Sequence, residues 1–231
     1  MSHTLTLQQI APVTHDTWHL TFNRPADFTF KPGQAAELAL MRDGWRDEGR
    51  PFTMTSQPDQ PSLEFVIKSY PSHDGVTEQI PTLGIGDQVS AEGPFGAITD
   101  HGPGVFLAAG AGVTPFIAIL KKHQKEGTTG DHLIFSNKTD ADIILKDTFD
   151  SLAGCETTYV VTDQEDTAHL HGMLDRKMLA DLVSDKEQPF YICGPEGFVD
   201  AMRDALKEIG VKDDHIVTED GWCVARRRAQ V

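Results

Sequence analysis

Apolar and polar positions alternate with a period of two through most of the first hundred residues. The runs at 3–10, 16–22, 34–41, 50–56, 63–69 and 87–92 each read as a half-buried strand. In the second run Trp18, Leu20 and Phe22 share one face. Pro32-Gly33, Asp43-Gly44, Pro58-Asp59, Gly84-Ile85-Gly86 and Gly93-Pro94 supply turn chemistry between runs. A short helical segment at 76–83 interrupts the series. Short strands with turns at this spacing predict an antiparallel barrel or sandwich. From residue 104 the period changes. Strand-like runs at 105–109, 133–136, 158–162, 190–193 and 215–218 alternate with helical patterns at 114–126, 139–152, 175–183 and 196–209. That alternation predicts an α/β unit with a doubly wound parallel sheet. The change falls at the turn near 100–104, so the expected domains are residues 1–101, a β-barrel, and residues 102–231, an α/β domain.

Composition narrows the class. The 231 residues suit one large domain or two small ones, with 39% apolar and 24% charged residues. Lys and Arg number 20 against 35 Asp and Glu, a net charge of −15. Such a chain lacks the basic footprint that nucleic acid or an anionic membrane requires. Cys155, Cys193 and Cys223 are too few and too scattered for a disulfide framework or a four-thiolate cluster. They fit a reducing compartment, and the start MSHTLTLQQI lacks a secretory pattern, so a cytoplasmic location is expected. The uncharged stretch 102–120 approaches the length of a membrane span. Pro103, Gly104, Gly110, Gly112 and Pro115 divide it instead into a strand, a tight turn and a helix start.

Four short motifs carry candidate chemistry. Gly110-Ala111-Gly112-Val113-Thr114-Pro115 follows a strand and opens a helix. Glycines there let the backbone approach a phosphate, and the helix N-terminus attracts its charge. Tyr191-Ile192-Cys193-Gly194-Pro195 repeats the strand-to-helix turn at the same sheet edge. Arg50-Pro51-Phe52-Thr53 offers a planar cation, an aromatic face and a hydroxyl on one predicted strand. Gly75-Val76-Thr77 opens the short inserted helix. Each alone is compatible with an ordinary turn, or with surface and core packing.

Together and in this order, the motifs resemble those of the ferredoxin–NADP reductase superfamily, over nearly the whole chain. The family's Arg-x-Tyr-Ser/Thr, glycine-led helix start, Gly-x-Gly-x-Thr-Pro and Cys-Gly-Pro all have counterparts, with Phe52 replacing the tyrosine. The resemblance implies FAD in the barrel and NADH, or NADPH, on the α/β domain. It implies that Arg50 contacts the flavin phosphate, that Pro51 and Phe52 pack beside the flavin, and that Thr53 hydrogen-bonds near its N5. Val66, Ile67 and Lys68 would line the flavin with main chain, and Gly75, Val76 and Thr77 would cradle the pyrophosphate. Gly112, Val113 and Thr114 would hold the dinucleotide, with Cys193, Gly194 and Pro195 bordering the nicotinamide. The family's terminal Glu-x-aromatic has its nearest match in Glu219-Asp220-Gly221-Trp222, one residue longer, which points to Trp222 beside the flavin.

The implied function is an oxidoreductase that takes hydride from NAD(P)H and passes electrons to a separate acceptor: a ferredoxin, a flavodoxin or an oxygenase component. A free flavin or ferric reductase, and a non-catalytic nucleotide-binding module, are the alternatives. Thr53 and Cys193 would tune geometry rather than act as covalent nucleophiles. Asp163, Gln164, Glu165 and Asp166 follow the strand where the family reads the 2′-phosphate; three carboxylates there repel a phosphate and favour NADH, although Lys138 could compensate. His169 and His171 could face one side of a strand, but no further ligands complete a set, and no metal is expected.

Overall fold

In the computed structural model of this chain, residues 2–71, 75–96 and 98–219 are described. The first half is an antiparallel six-stranded sheet: β1 Ser2–Pro12, β2 Thr17–Asn23, β3 Ala35–Leu40, β4 Arg50–Thr53, β5 Ser62–Lys68 and β6 Gln88–Phe95, in the order β4-β3-β6-β1-β2-β5. A bridge between Met54 and Phe65 brings the two ends together, so the sheet curls into a nearly closed barrel. The period-two pattern is the cause. Leu5 and Leu7, Leu20 and Phe22, and Leu63, Phe65 and Ile67 turn inward into one core, which Phe28, Leu40 and Ala91 complete. Helix α1, Val76–Gln79, continues as a 3₁₀ turn over Ile80–Thr82, and Val76 and Ile80 cover one opening of the barrel core.

The second half is a six-stranded parallel sheet. Its strands are β7 Val105–Ala109, β8 Asp131–Asn137, β9 Cys155–Val161, β10 Leu170–His171, β11 Phe190–Cys193 and β12 Ile216–Val217, in the order β10-β9-β8-β7-β11-β12. Helices α2 Thr114–Glu126, α3 Lys146–Asp150, α4 Arg176–Leu182 and α5 Glu196–Glu208 cover its two faces with separate apolar clusters. The central strands β7 and β11 are buried on both sides, which is why they read as continuous apolar runs. Strand order reverses between β7 and β11, and at such a switch point an open α/β sheet has its crevice.

One predicted helix differs. Residues 139–152 form a capped 3₁₀ turn at Asp140–Asp142 and then the short α3, separated by Ile143 in extended backbone and Leu145 at φ 52°. Ile143 and Ile144 are both buried in the apolar cluster that α2 and α3 also line. Thr139 and Asp142 form a reciprocal capping box at the start of the 3₁₀ turn.

Candidate active site

Strand β4 carries Arg50, Pro51, Phe52 and Thr53, and none of the four is buried, in contrast to the largely buried β3 beside it. Phe52 lies opposite Ala36 and packs partly against the barrel core, and Thr53 lies opposite Ala35. The Arg50 guanidinium donates from Nη1 to the Gly49 carbonyl at 2.9 Å and from Nη2 to Glu48 Oε2 at 3.5 Å. Across the closing bridge, β5 presents Val66, Ile67 and Lys68. Pairing with the 54–55 segment ends near Phe65, so among the described residues no further strand lies beside the Val66–Lys68 edge. The Val66 side chain is buried in the core of the α/β half, and Ile67 belongs to the barrel core. Gly75 stands at the N-terminus of α1 in extended backbone, and no side chain caps the N–H groups there.

At the carboxyl edge of the parallel sheet, β7 runs into a 3₁₀ turn, Gly110–Val113, and then α2 with Pro115 in its first turn. The Thr114 hydroxyl donates to the Ala111 carbonyl at 3.0 Å and holds the turn closed. A Cβ on Gly112 would lie 2.3 Å from the Cys193 carbonyl oxygen and 2.6 Å from the Gly194 Cα. A Cβ on Gly194 would lie 3.1 Å from that of Ala109. The two turns that sequence placed beside one crevice therefore touch backbone to backbone, and only glycine permits the approach. Pro195 stands at the N-cap of α5, again without a side-chain cap. Cys193 is buried, and its Sγ lies 3.5 Å from Glu219 Oε1. Trp222 lies outside the described residues, as does the Arg226–Arg228 cluster.

The barrel and the α/β half meet around these motifs. Lys68 Nζ lies 2.8 Å from Asp16 Oδ2 and 3.8 Å from Asp142 Oδ1, which joins β5 to the turn after β8. Lys68 holds the Asp16 carboxyl below its usual range, although burial opposes it. His15 completes a His15–Asp16–Asp142 cluster, but the Lys68 ammonium already supplies its cation. His169 packs against the Tyr159 ring at 5.0 Å, and His171 is exposed on β10. Partial burial pushes the Cys155 thiol up to about 11, which keeps it protonated at neutral pH.

Sequence reasoning missed the Lys68 pairing and the buried His123 described below, since their partners are distant in the chain.

Two family profiles match: an oxidoreductase FAD-binding domain over residues 4–99 and an oxidoreductase NAD-binding domain over residues 106–204. The chain belongs to the ferredoxin–NADP reductase superfamily of flavin reductase modules. It is an FAD-dependent NAD(P)H oxidoreductase. The reductase component of propane 2-monooxygenase from Rhodococcus jostii is 27% identical over 226 residues, 90% of this chain and 60% of that protein. NADH-cytochrome b5 reductase 2 of Lodderomyces elongisporus is 28% identical, over 92% of this chain and 81% of its own length. Among solved structures, the FAD/NAD-binding domain of Vibrio cholerae nitric oxide dioxygenase superposes with a TM-score of 0.83 at 21% identity, over 93% of this chain and 96% of that one. The Neisseria gonorrhoeae ferredoxin NADP+ reductase, with FAD and NADP bound, gives 0.78 at 20% identity, over 90% and 92% of the two chains.

The flavin reductase's own residues fit the cofactor. The donors it offers are the Arg50 guanidinium and Thr53 hydroxyl on β4 and the N–H groups at the start of α1, which suit phosphates and a polar ring edge. No helix among the described residues is long and apolar enough to cross a membrane.

Proposed function

We propose that this flavin reductase takes reducing equivalents from NADH and delivers them to a separate acceptor protein. The division between the two units is placed at residues 101 and 102. The observation that carries the reading is the junction of the Gly112 and Cys193-Gly194 turns at the strand-order reversal. Bound there, the dinucleotide would lie over the uncapped start of α2, with Gly112, Val113 and Thr114 along its phosphates. Cys193, Gly194 and Pro195 would border the nicotinamide. Arg50 would pair with the flavin phosphate, Thr53 would hydrogen-bond the ring edge, and Gly75, Val76 and Thr77 would cradle the pyrophosphate. FAD, when bound, accepts a hydride and releases electrons singly. The protein's part is orientation, since hydride transfer requires reacting atoms about 3–3.5 Å apart and no side-chain acid or base.

Asp163, Glu165 and Asp166 are exposed after β9, where they would repel a 2′-phosphate. That favours NADH. Names such as propane monooxygenase reductase component, and the naphthalene dioxygenase reductase component of Pseudomonas putida at 25% identity over 93% of this chain, support an oxygenase or ferredoxin as acceptor. A reducing cytoplasm suits the three scattered cysteines. An absorption spectrum followed by anaerobic titration tests the reading. Flavin bands that bleach with NADH at lower concentration than with NADPH are expected. A protein that takes up neither FAD nor FMN would overturn it.

A further inference from the structure

Asp140 belongs to none of the motifs, yet it is held on three sides. It opens the 3₁₀ turn after β8. Its backbone N–H donates to Gln164 Oε1 at 3.0 Å, and Gln164 Nε2 donates back to Asp140 Oδ2 at 3.0 Å. Thr167 Oγ1 donates to Asp140 Oδ1 at 2.6 Å and accepts from the His169 N–H at 3.1 Å. Nearby, the Asp163 N–H donates to the Lys138 carbonyl at 2.8 Å and the Thr162 N–H to that of Asn137 at 3.0 Å. The loop after β9 is thus fastened to the turn after β8. The fastening also sorts its side chains. Gln164 and Thr167 are half-buried and turn toward Asp140, while Asp163, Glu165 and Asp166 are left exposed.

We propose that Asp140 is a positioning residue that sets the discrimination between NADH and NADPH. The inference rests on the reading above, in which the 2′-phosphate of NADPH would meet the carboxylates exposed after β9. Carboxylates on a free loop would swing away from an incoming 2′-phosphate, and the penalty would relax with them. Carboxylates on a fastened loop cannot retreat, so repulsion is retained in full. The same fixation pre-orients acceptors for the ribose hydroxyls of NADH, and pre-orientation strengthens binding by lowering its ordering cost. Asp140 acts through the loop and touches no reacting atom.

The test uses the full chain and two flavin-independent probes, ADP-ribose and 2′-phospho-ADP-ribose, titrated calorimetrically. Wild type is measured first, and preference for the phosphorylated probe would overturn the NADH reading itself. Given the opposite preference, Asp140→Ala and Gln164→Ala should each narrow the affinity ratio about fivefold, the worth of one net hydrogen bond. The KM for NADH should rise while kcat at saturation is unchanged, a split that general destabilisation does not produce. If Asp140→Ala fails to fold, Gln164→Ala decides. An unchanged ratio in the folded variants would overturn the proposal.

Discussion

At the residue scale, the site is defined as much by missing atoms as by present ones. Gly112 faces the Cys193 carbonyl at a distance where a methyl group has no room, and the obstruction is backbone. Gly112→Ala must therefore separate the two turns, at a cost of about 1–3 kcal/mol in stability by analogy with overpacked cores. Its nucleotide affinity should fall further than its melting temperature suggests, as nucleotide titration beside thermal denaturation would show. Thr53→Val removes a hydroxyl while keeping the shape of β4. Stopped-flow measurement should find slower flavin reduction with FAD binding little changed; an unaltered rate would remove Thr53 from the site. Arg50, Thr53, Gly112 and Cys193 can be nominated from the sequence because their chemistry is local to short motifs. Asp140 was not, because Gln164 and Thr167 lie 24 and 27 positions away in the sequence.

At the scale of elements, the buried His123 on α2 ties three segments together. Its Nδ1 lies 2.9 Å from Asp131 Oδ2 on β8, and its Nε2 lies 3.1 Å from Asp100 Oδ1 in the connection between barrel and parallel sheet. Lys122 also binds Asp100 at 2.8 Å, and Asp131 accepts from the Gly104 N–H at 3.3 Å. Chiefly through Asp100, and then Asp131, the imidazole is raised from 6.5 to about 9 and is protonated at neutral pH. Because the folded value lies above the unfolded one, the stabilisation is complete below about 6.5. It declines as pH rises and is lost beyond about 9. Denaturant titrations from pH 6 to pH 10 should show this loss, and His123→Gln should flatten it. Removing the imidazolium leaves the buried Asp131 carboxylate without its cation, while Asp100 keeps Lys122, and breaking a buried pair costs about 3–5 kcal/mol. Periodicity revealed α2 and placed His123 near its apolar face, but could not show that two aspartates waited there. The helix expected at 139–152 is broken where Ile143 is extended and Leu145 is left-handed, which periodicity could not show.

At the scale of the whole molecule, the two halves share contacts on several sides. Gln57 Nε2 donates to the Ala118 carbonyl of α2 at 2.9 Å, and Lys125 pairs with Asp59. A Cβ on Gly33 would lie 3.1 Å from the Ile119 side chain, so barrel and helix are packed closely there. The net charge of −15 has a consequence for the acceptor. Long-range repulsion would slow encounter with an acidic partner at low salt. Added salt should therefore raise the reduction rate of an acidic acceptor and lower that of a basic one, a comparison accessible by steady-state kinetics.

Val66 leaves the barrel strand that bears it and joins the apolar core of the other half, together with Phe106, Phe116 and Ile119. The two units do not own separate interiors. A cut between residues 101 and 102 would strip that borrowed side chain from its neighbours and expose an oily scar on each fragment. The intact chain should melt as one body, with a single calorimetric peak, and grafting its flavin half onto a foreign nucleotide half would require a host with a socket for that valine.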